Sequence, residues 1–111
     1  VTAKYNQTFD PAVLTVDLPA LAAADPGLVD AALAAVDDLA ARRQIGKELG
    51  ARNISGDLTG LRRLRFDLPG VHTKRYRVVY KLEAHTIEVL AIGERRDHVI
   101  YRAAVGRLPT D

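Results

Sequence analysis

The sequence predicts an α+β fold: a small antiparallel β-sheet with two N-terminal helices packed on one face and a short C-terminal helix, in the order β-α-α-β-β-β-α. Three observations carry that expectation. The run LVDAALAAVDDLAARR repeats its apolar residues at helical spacing, and the stretch from Leu61 to Ile92 is rich in residues that alternate at strand spacing. Asp-Pro and Pro-Gly pairs punctuate the chain between such runs. With 111 residues, of which 48% are hydrophobic, the chain has enough apolar surface for one modest core, so residues 1–111 are expected to form one domain.

Ala3, Tyr5, Gln7 and Phe9 alternate with Lys4, Asn6 and Thr8, which predicts an opening strand with Tyr5 and Phe9 facing inward. Asp10-Pro11 reads as a helix start, an N-cap acceptor followed by a ring that needs no N–H donor. That first helix is interrupted or restarted at Pro19. Asp25-Pro26-Gly27 opens a second helix, whose stripe of Leu28, Ala32, Ala35 and Leu39 is flanked by Val29, Leu33, Val36 and Ala40. Arg42 and Arg43 are expected at its C-terminus, where positive charge complements the dipole. QIGKELGARNISGDLTG reads as a loop with a short turn at Lys47 to Leu49. Strands follow at Leu61 to Phe66, Lys74 to Leu82 and Thr86 to Ile92, joined at Pro69-Gly70 and at Glu83-Ala84-His85. A last helix is expected from a cap at Asp97, burying Val99 or Ile100, Ala103 or Ala104, and Leu108.

The absence of cysteine excludes disulfides, thiolate chemistry and zinc sites of the thiolate kind, and it fits a reducing compartment. The apolar runs LPALAAA and AALAAV fall far short of the ~20 residues a bilayer span needs. A soluble, cytoplasmic protein with no membrane association is therefore expected. Net charge is only +2, but up to Ala41 one lysine stands against six aspartates, and beyond it fifteen Lys and Arg stand against eight acids. A basic half of net +7 beside an acidic half of net −5 suits either a polyanion, an acidic partner, or mutual neutralisation within the chain.

Strand alternation sorts the basic residues. Leu64 and Phe66 share one face and Arg63 and Arg65 the other, while Tyr76, Val78, Tyr80 and Leu82 oppose Arg75, Arg77, Val79 and Lys81. If the apolar sets face the helices, Arg63, Arg65, Arg75 and Arg77 gather on the other face, with Arg95 and Arg96 just past the third strand. Guanidinium groups crowded in this way repel one another unless an anion shares them, and their planar forks match phosphate oxygens. The alternative is pairing with Glu83, Glu88 and Glu94 or with the acidic half.

The order GKEL, SGDLTGLRRLRF, then RYRVVYKLEAHTIEVLAIGERRDHVIYRAAVGRL, from Gly46 to Leu108, resembles the RelE/ParE superfamily, the toxins of bacterial type II toxin–antitoxin systems. The YRVVY strand, the IG-x-R-R turn and a tyrosine in the last helix carry the likeness together. The resemblance favours the RelE-like branch and implies a ribosome-dependent endonuclease of messenger RNA that halts translation. Its implied partners are the ribosome, mRNA and a cognate antitoxin with which it forms a hetero-oligomer, and it implies no cofactor and no metal.

By position, Arg63 and Arg65 fall where such toxins carry a lysine pair, Arg77 on the strand arginine, Arg95 on the arginine after the last strand, and Tyr101 on the C-terminal tyrosine. The resemblance thus makes these five residues the candidate catalytic set, with Arg62, Arg75, Lys81 and Arg96 as further RNA-binding cations. Metal-independent cleavage runs by attack of the ribose 2′-OH on phosphorus, giving a 2′,3′-cyclic phosphate, and fixed cations stabilise the charge that builds on the phosphorane. Tyr101 is expected to stack on or orient a base. Arginine at both lysine positions supplies no proton acceptor, which leaves His98, at i, i+3 from Tyr101, and His72 as general-base candidates. Two alternatives stay open: a ParE-like toxin that inhibits DNA gyrase without chemistry of its own, and an inert member that only binds its antitoxin.

Overall fold

The computed structural model describes residues 4–52, 56–57, 59–96 and 99–108. Its centre is the hairpin of β6 (Tyr76–Glu83) and β7 (Thr86–Glu94), with β5 (Leu61–Phe66) antiparallel to β6. β1 (Asn6–Phe9) pairs with the outer edge of β7 and β2 (Lys47–Glu48) with β5, giving the order β1-β7-β6-β5-β2. The expected α+β class holds, and the three long strands lie where alternation placed them. The sheet is mixed, because β1 runs parallel to β7, from Asn6 opposite Thr86 to Phe9 opposite Val89. A second, two-stranded piece joins β3 (Ala51–Arg52) and β4 (Gly56–Asp57) within the stretch expected to be loop.

Helices cover both faces. α1 (Leu18–Ala24) and α2 (Pro26–Ala40) pack on the face carrying Phe66, Tyr76, Val78, Tyr80, Ile87, Val89 and Ile92. α3 (Val99–Gly106) packs on the opposite face, with Ile100, Tyr101 and Ala104 against Leu61, Val79, Leu90 and Ala91. In β7 a β-bulge supplies apolar residues to both sets. Val79 stands opposite Ala91 but Tyr80 opposite Val89, so Leu90 is the extra residue. It lets Val89 and Ile92, three residues apart, share the α2 face while Leu90 and Ala91 face α3.

The expected caps are in place. Asp10 Oδ1 accepts from Ala12 N at 2.9 Å, and Asp25 Oδ1 from Gly27 N at 2.8 Å, with Pro26 in the first turn of α2. Leu33 is exposed rather than part of the apolar stripe, since it lies about 140° around the helix from Leu28. The end of α2 is a Schellman turn in which Arg43 N donates to Asp38 O at 2.9 Å and Arg42 N to Leu39 O at 3.1 Å. The left-handed position usually given to glycine is held by Arg42, at φ 63°, whose guanidinium lies 4.1 Å over the Tyr5 ring. The helix dipole is therefore not what positions Arg42. For α3, the expected N-cap Asp97 lies outside the described residues.

Between Asp10 and α1 the chain makes a π-helical turn over Val13–Asp17, and Leu18 N–H donates to Val13 O five residues back. Pro19, which has no N–H to give, marks the change to α1. This turn places Asp17 against the sheet beyond the end of β1, where, among the described residues, no strand pairs with the outer edge of β7. Asp17 Oδ2 accepts the Ile92 amide at 2.8 Å, and Arg107 Nη1 donates both to Asp17 Oδ2 at 2.6 Å and to Leu90 O at 2.9 Å. Arg107 Nη2 closes a bidentate pair with Asp17 Oδ1 at 3.0 Å. An ion pair thus does for Leu90 and Ile92 what a neighbouring strand would do, and it ties the end of α3 to the start of α1 around the sheet edge. Asp17→Ala leaves a buried amide and a mostly buried guanidinium unpaired, and is expected to lower unfolding free energy by about 3 kcal/mol in urea titrations. A loss below about 1 kcal/mol, the range of exposed pairs, would show that the pair is not structural.

Candidate functional site

Register decides which basic side chains meet. Lys47 is directly opposite Arg63, and Arg65 directly opposite Arg77, all four on the sheet face that α3 covers in part. Two like-charged pairs side by side are unfavourable on their own, and each guanidinium or ammonium that is not offset within the chain is free to take an anion.

Arg77 is the innermost. It is 7% exposed, its Nη1 donates to Lys74 O at 2.6 Å and Tyr76 O at 3.0 Å, and its Nε has no partner. Burial pushes its pKa down; the hydrogen-bonded Tyr101 side chain opposes that, and nearby Arg63 and Arg95 add to it. Tyr101, 4% exposed, packs among Leu61, Val79, Leu90 and Ile100. Arg63, Arg77, Arg95 and Tyr101 therefore converge as expected, but the phenol faces the core and Arg77. In this arrangement its ring has no face open for stacking on a base.

Beyond Arg77 the surface opens into a cavity of about 760 Å³ between the β5–β6 loop and the end of β7, lined by Arg65, His72, Lys74, Arg75, Arg95 and Arg96. Among the described residues Glu94 is its one acidic wall residue, and it pairs with Arg96 at 3.2 Å. The loop that shapes it is held by Asp67. Its buried carboxylate accepts from Leu68 N at 2.8 Å, Arg75 N at 3.1 Å, Arg75 Nε at 2.8 Å and Arg75 Nη2 at 2.9 Å. The Arg75 guanidinium holds that carboxyl well below the usual carboxylate range, with the two backbone donors adding to it against the cost of burial. Arg75, expected as a free RNA-binding cation, is thus committed to the loop, and its own pKa is raised by Asp67.

The remaining expected residues separate. Arg62 points to the α2 face, donating to Gly46 O at 2.8 Å and to Glu48 at 3.0 Å, because it is one residue out of phase with Arg63 and Arg65. Lys81 lies at the far end of β6 and pairs with Glu83 at 3.2 Å. Arg95 and Arg96 are exposed at the cavity, and Arg95 N donates to Arg75 O at 3.1 Å. His72 is exposed on the cavity wall, whereas His98 lies outside the described residues. Two cations were missed by sequence reasoning, Lys47 and Lys74. Lys74 adjoins Arg75 in the chain and was available as a signal, but Lys47 sits in a two-residue strand with no alternation to read. Asp67 was also missed, although an acid between a basic strand and Pro69-Gly70 is a natural partner for the arginine that returns.

Comparison with family models matches residues 17–99 to the ParE toxin of the type II toxin–antitoxin system parDE. The chain belongs to the ParE toxin family. Searches among curated proteins and among solved structures gave no match. The matched segment covers α1 through the start of α3, and so contains the sheet, the Asp67–Arg75 clamp and the basic cavity. This toxin accordingly has a cognate antitoxin as its partner. Among the described residues, no helix is long and apolar enough to cross a membrane.

The Asp67 clamp has a pH signature. Because the folded-state pKa is depressed, its stabilisation is present above the unfolded value of about 4 and fades as pH falls below it. Acid titration of stability between about pH 5 and about pH 2 should therefore be steeper for the natural chain than for Asp67→Asn, and parallel curves would refute the assignment.

Proposed function

We propose that this ParE-family toxin inhibits DNA gyrase by binding, with the basic cavity at the β5–β6 loop as its contact surface and no bond made or broken by its own side chains. The observation that carries this reading is the burial of the phenol: Tyr101 is 4% exposed and held to Arg77. The half-buried Arg63 and the exposed Arg65, Arg95 and Lys74 suit electrostatic docking, and a guanidinium offers no proton acceptor. The family match supports the same branch.

A second reading has one observation in its favour. Arg63, Arg95 and the Tyr101 hydroxyl all lie close enough to Arg77 to act on it electrostatically, a gathering of cations beside a phenol that would suit cleavage of messenger RNA on the ribosome. Two measurements separate the readings. With purified gyrase, the toxin is expected to inhibit supercoiling, Arg65→Glu and Arg95→Glu to weaken inhibition about tenfold each, and Tyr101→Phe to cost about 1 kcal/mol of stability with little loss of inhibition. Cuts in ribosome-bound messages after induction, abolished by Tyr101→Phe and accompanied by unchanged supercoiling, would overturn the proposal in favour of the nuclease.

A further inference from the structure

The deepest cation of the sheet has no countercharge. Arg77 is 7% exposed and stands directly opposite Arg65, and its Nη1 goes to two backbone carbonyls while its Nε stays unpaired. A buried charge is normally matched by an opposite one, and like charges facing each other across a ladder repel. Among the described residues, no carboxylate pairs with Arg77, Arg65, Lys74 or Arg95. The acids beside them are engaged, Asp67 by Arg75 at 2.8 Å and Glu94 by Arg96 at 3.2 Å. Four cations without an acidic partner therefore line one cavity of about 760 Å³, and Arg77 is the most buried of them.

The cavity is preformed. The Asp67 carboxylate holds the loop through Leu68 N and through the backbone and guanidinium of Arg75, and Arg95 N donates to Arg75 O at 3.1 Å, which ties the end of β7 to the start of β6. Arg65 comes from β5, Lys74 from the loop and Arg95 from just beyond β7, so three separate segments present cations around one fixed space. An anion entering it has little backbone to order, and its binding energy is not spent on that.

The lining also lacks something. Among the described residues it contains no Phe, Tyr or Trp, and the Tyr101 ring beside Arg77 is 4% exposed. Single-stranded nucleic acids are commonly held by stacking their bases on aromatic faces, and this cavity offers no such platform. Its cations suit instead an anion that concentrates several charges in a short span. Successive phosphates of an oligophosphate share a bridging oxygen, whereas those of a nucleic-acid strand are a whole nucleotide apart, and guanidinium forks match the phosphate oxygens of either.

We propose that this cavity is a binding site for a compact oligophosphate chain, the triphosphate of a nucleotide or the end of an inorganic polyphosphate, held by Arg65, Lys74 and Arg95 over Arg77. The bound chain supplies the countercharge that Arg77 lacks, and no bond is made or broken. The site overlaps the surface proposed for gyrase, but it stands on the charge balance and shape of the cavity and does not depend on that reading.

The test is calorimetric titration of the full chain, in metal-free buffer of fixed ionic strength, with inorganic tripolyphosphate, ATP, orthophosphate and a short thymidine oligonucleotide. Tripolyphosphate is expected to bind saturably, one per chain, and at least about tenfold more tightly than orthophosphate or the oligonucleotide. ATP within about threefold of tripolyphosphate shows that the chain is taken from either source, and ATP more than about tenfold weaker restricts the source to the inorganic chain. Lys74→Glu and Arg95→Glu change exposed side chains and should each weaken tripolyphosphate about tenfold. Arg42→Glu makes a charge reversal of the same kind beside Tyr5, which stacks on His85 in the β6–β7 turn at the other end of the hairpin, and should bind within about twofold of the natural chain. Circular dichroism checks that each variant is folded. The proposal is overturned by the absence of saturable binding, by orthophosphate binding as tightly as tripolyphosphate, or by equal weakening in Arg42→Glu, which would reduce the effect to net charge. An oligonucleotide that binds as tightly as tripolyphosphate would overturn it in favour of a nucleic-acid surface, and ATP more than about tenfold tighter would overturn it in favour of a site that reads the base. The titration contains only the toxin and the anion, so none of these outcomes bears on gyrase inhibition.

Discussion

The Asp17–Arg107 ion pair is the constraint on which the two halves of this fold depend. A sheet covered by helices on both faces must still close its edges, and β1 is too short to protect the whole of β7. The carboxylate takes the Ile92 amide, the guanidinium gives to Leu90 O, and each group neutralises the other where both are largely withdrawn from water. A desolvated pair of this sort is stable because its geometry is bidentate and its remaining hydrogen-bonding capacity goes to the backbone. It also explains the π-helical turn, which ends on Asp17 and gives the N-terminal helices a fixed point of attachment to α3 on the other side of the sheet.

Much of this architecture was legible in the sequence, and the limits have physical causes. The β5 strand, the α2 helix and both aspartate caps were readable because alternation, helical spacing and Asp-Pro pairs are local signals. The parallel pairing of β1 is not local; nothing in NQTF specifies the direction of a neighbour eighty residues away. β2 was hidden because two polar residues carry no period. The placement of α3 on the second face was hidden by the bulge at Leu90, since an uninterrupted two-residue period would have assigned β7 one apolar face. For the site, period two correctly grouped Arg63, Arg65 and Arg77, and it could not reveal that Arg75 would be drawn to Asp67 or that Arg77 would be buried, because both depend on the path of the loop and on α3.

Across the sheet, charge and burial are graded rather than mixed. Arg77 lies at the bottom with its phenol, Arg63 is half-buried above it, and Lys47, Arg65, Lys74, Arg95 and Arg96 reach solvent. Arg77 is held at the bottom by the carbonyls of Lys74 and Tyr76, and the outer cations carry the positive charge to the surface.

The single surplus residue at Leu90 makes β7 tolerant of one particular shortening. Excising Leu90 leaves Val89 opposite Tyr80, Ala91 opposite Val79 and Ile92 opposite Val78, so Val89 and Ile92 stay in the α2 layer and Ala91 stays on the α3 side, and what is lost is the Leu90 side chain under α3. An excision elsewhere in β7 keeps the bulge and turns every side chain on one side of the cut to the other face, so length in this strand is negotiable at one position and fixed at the rest.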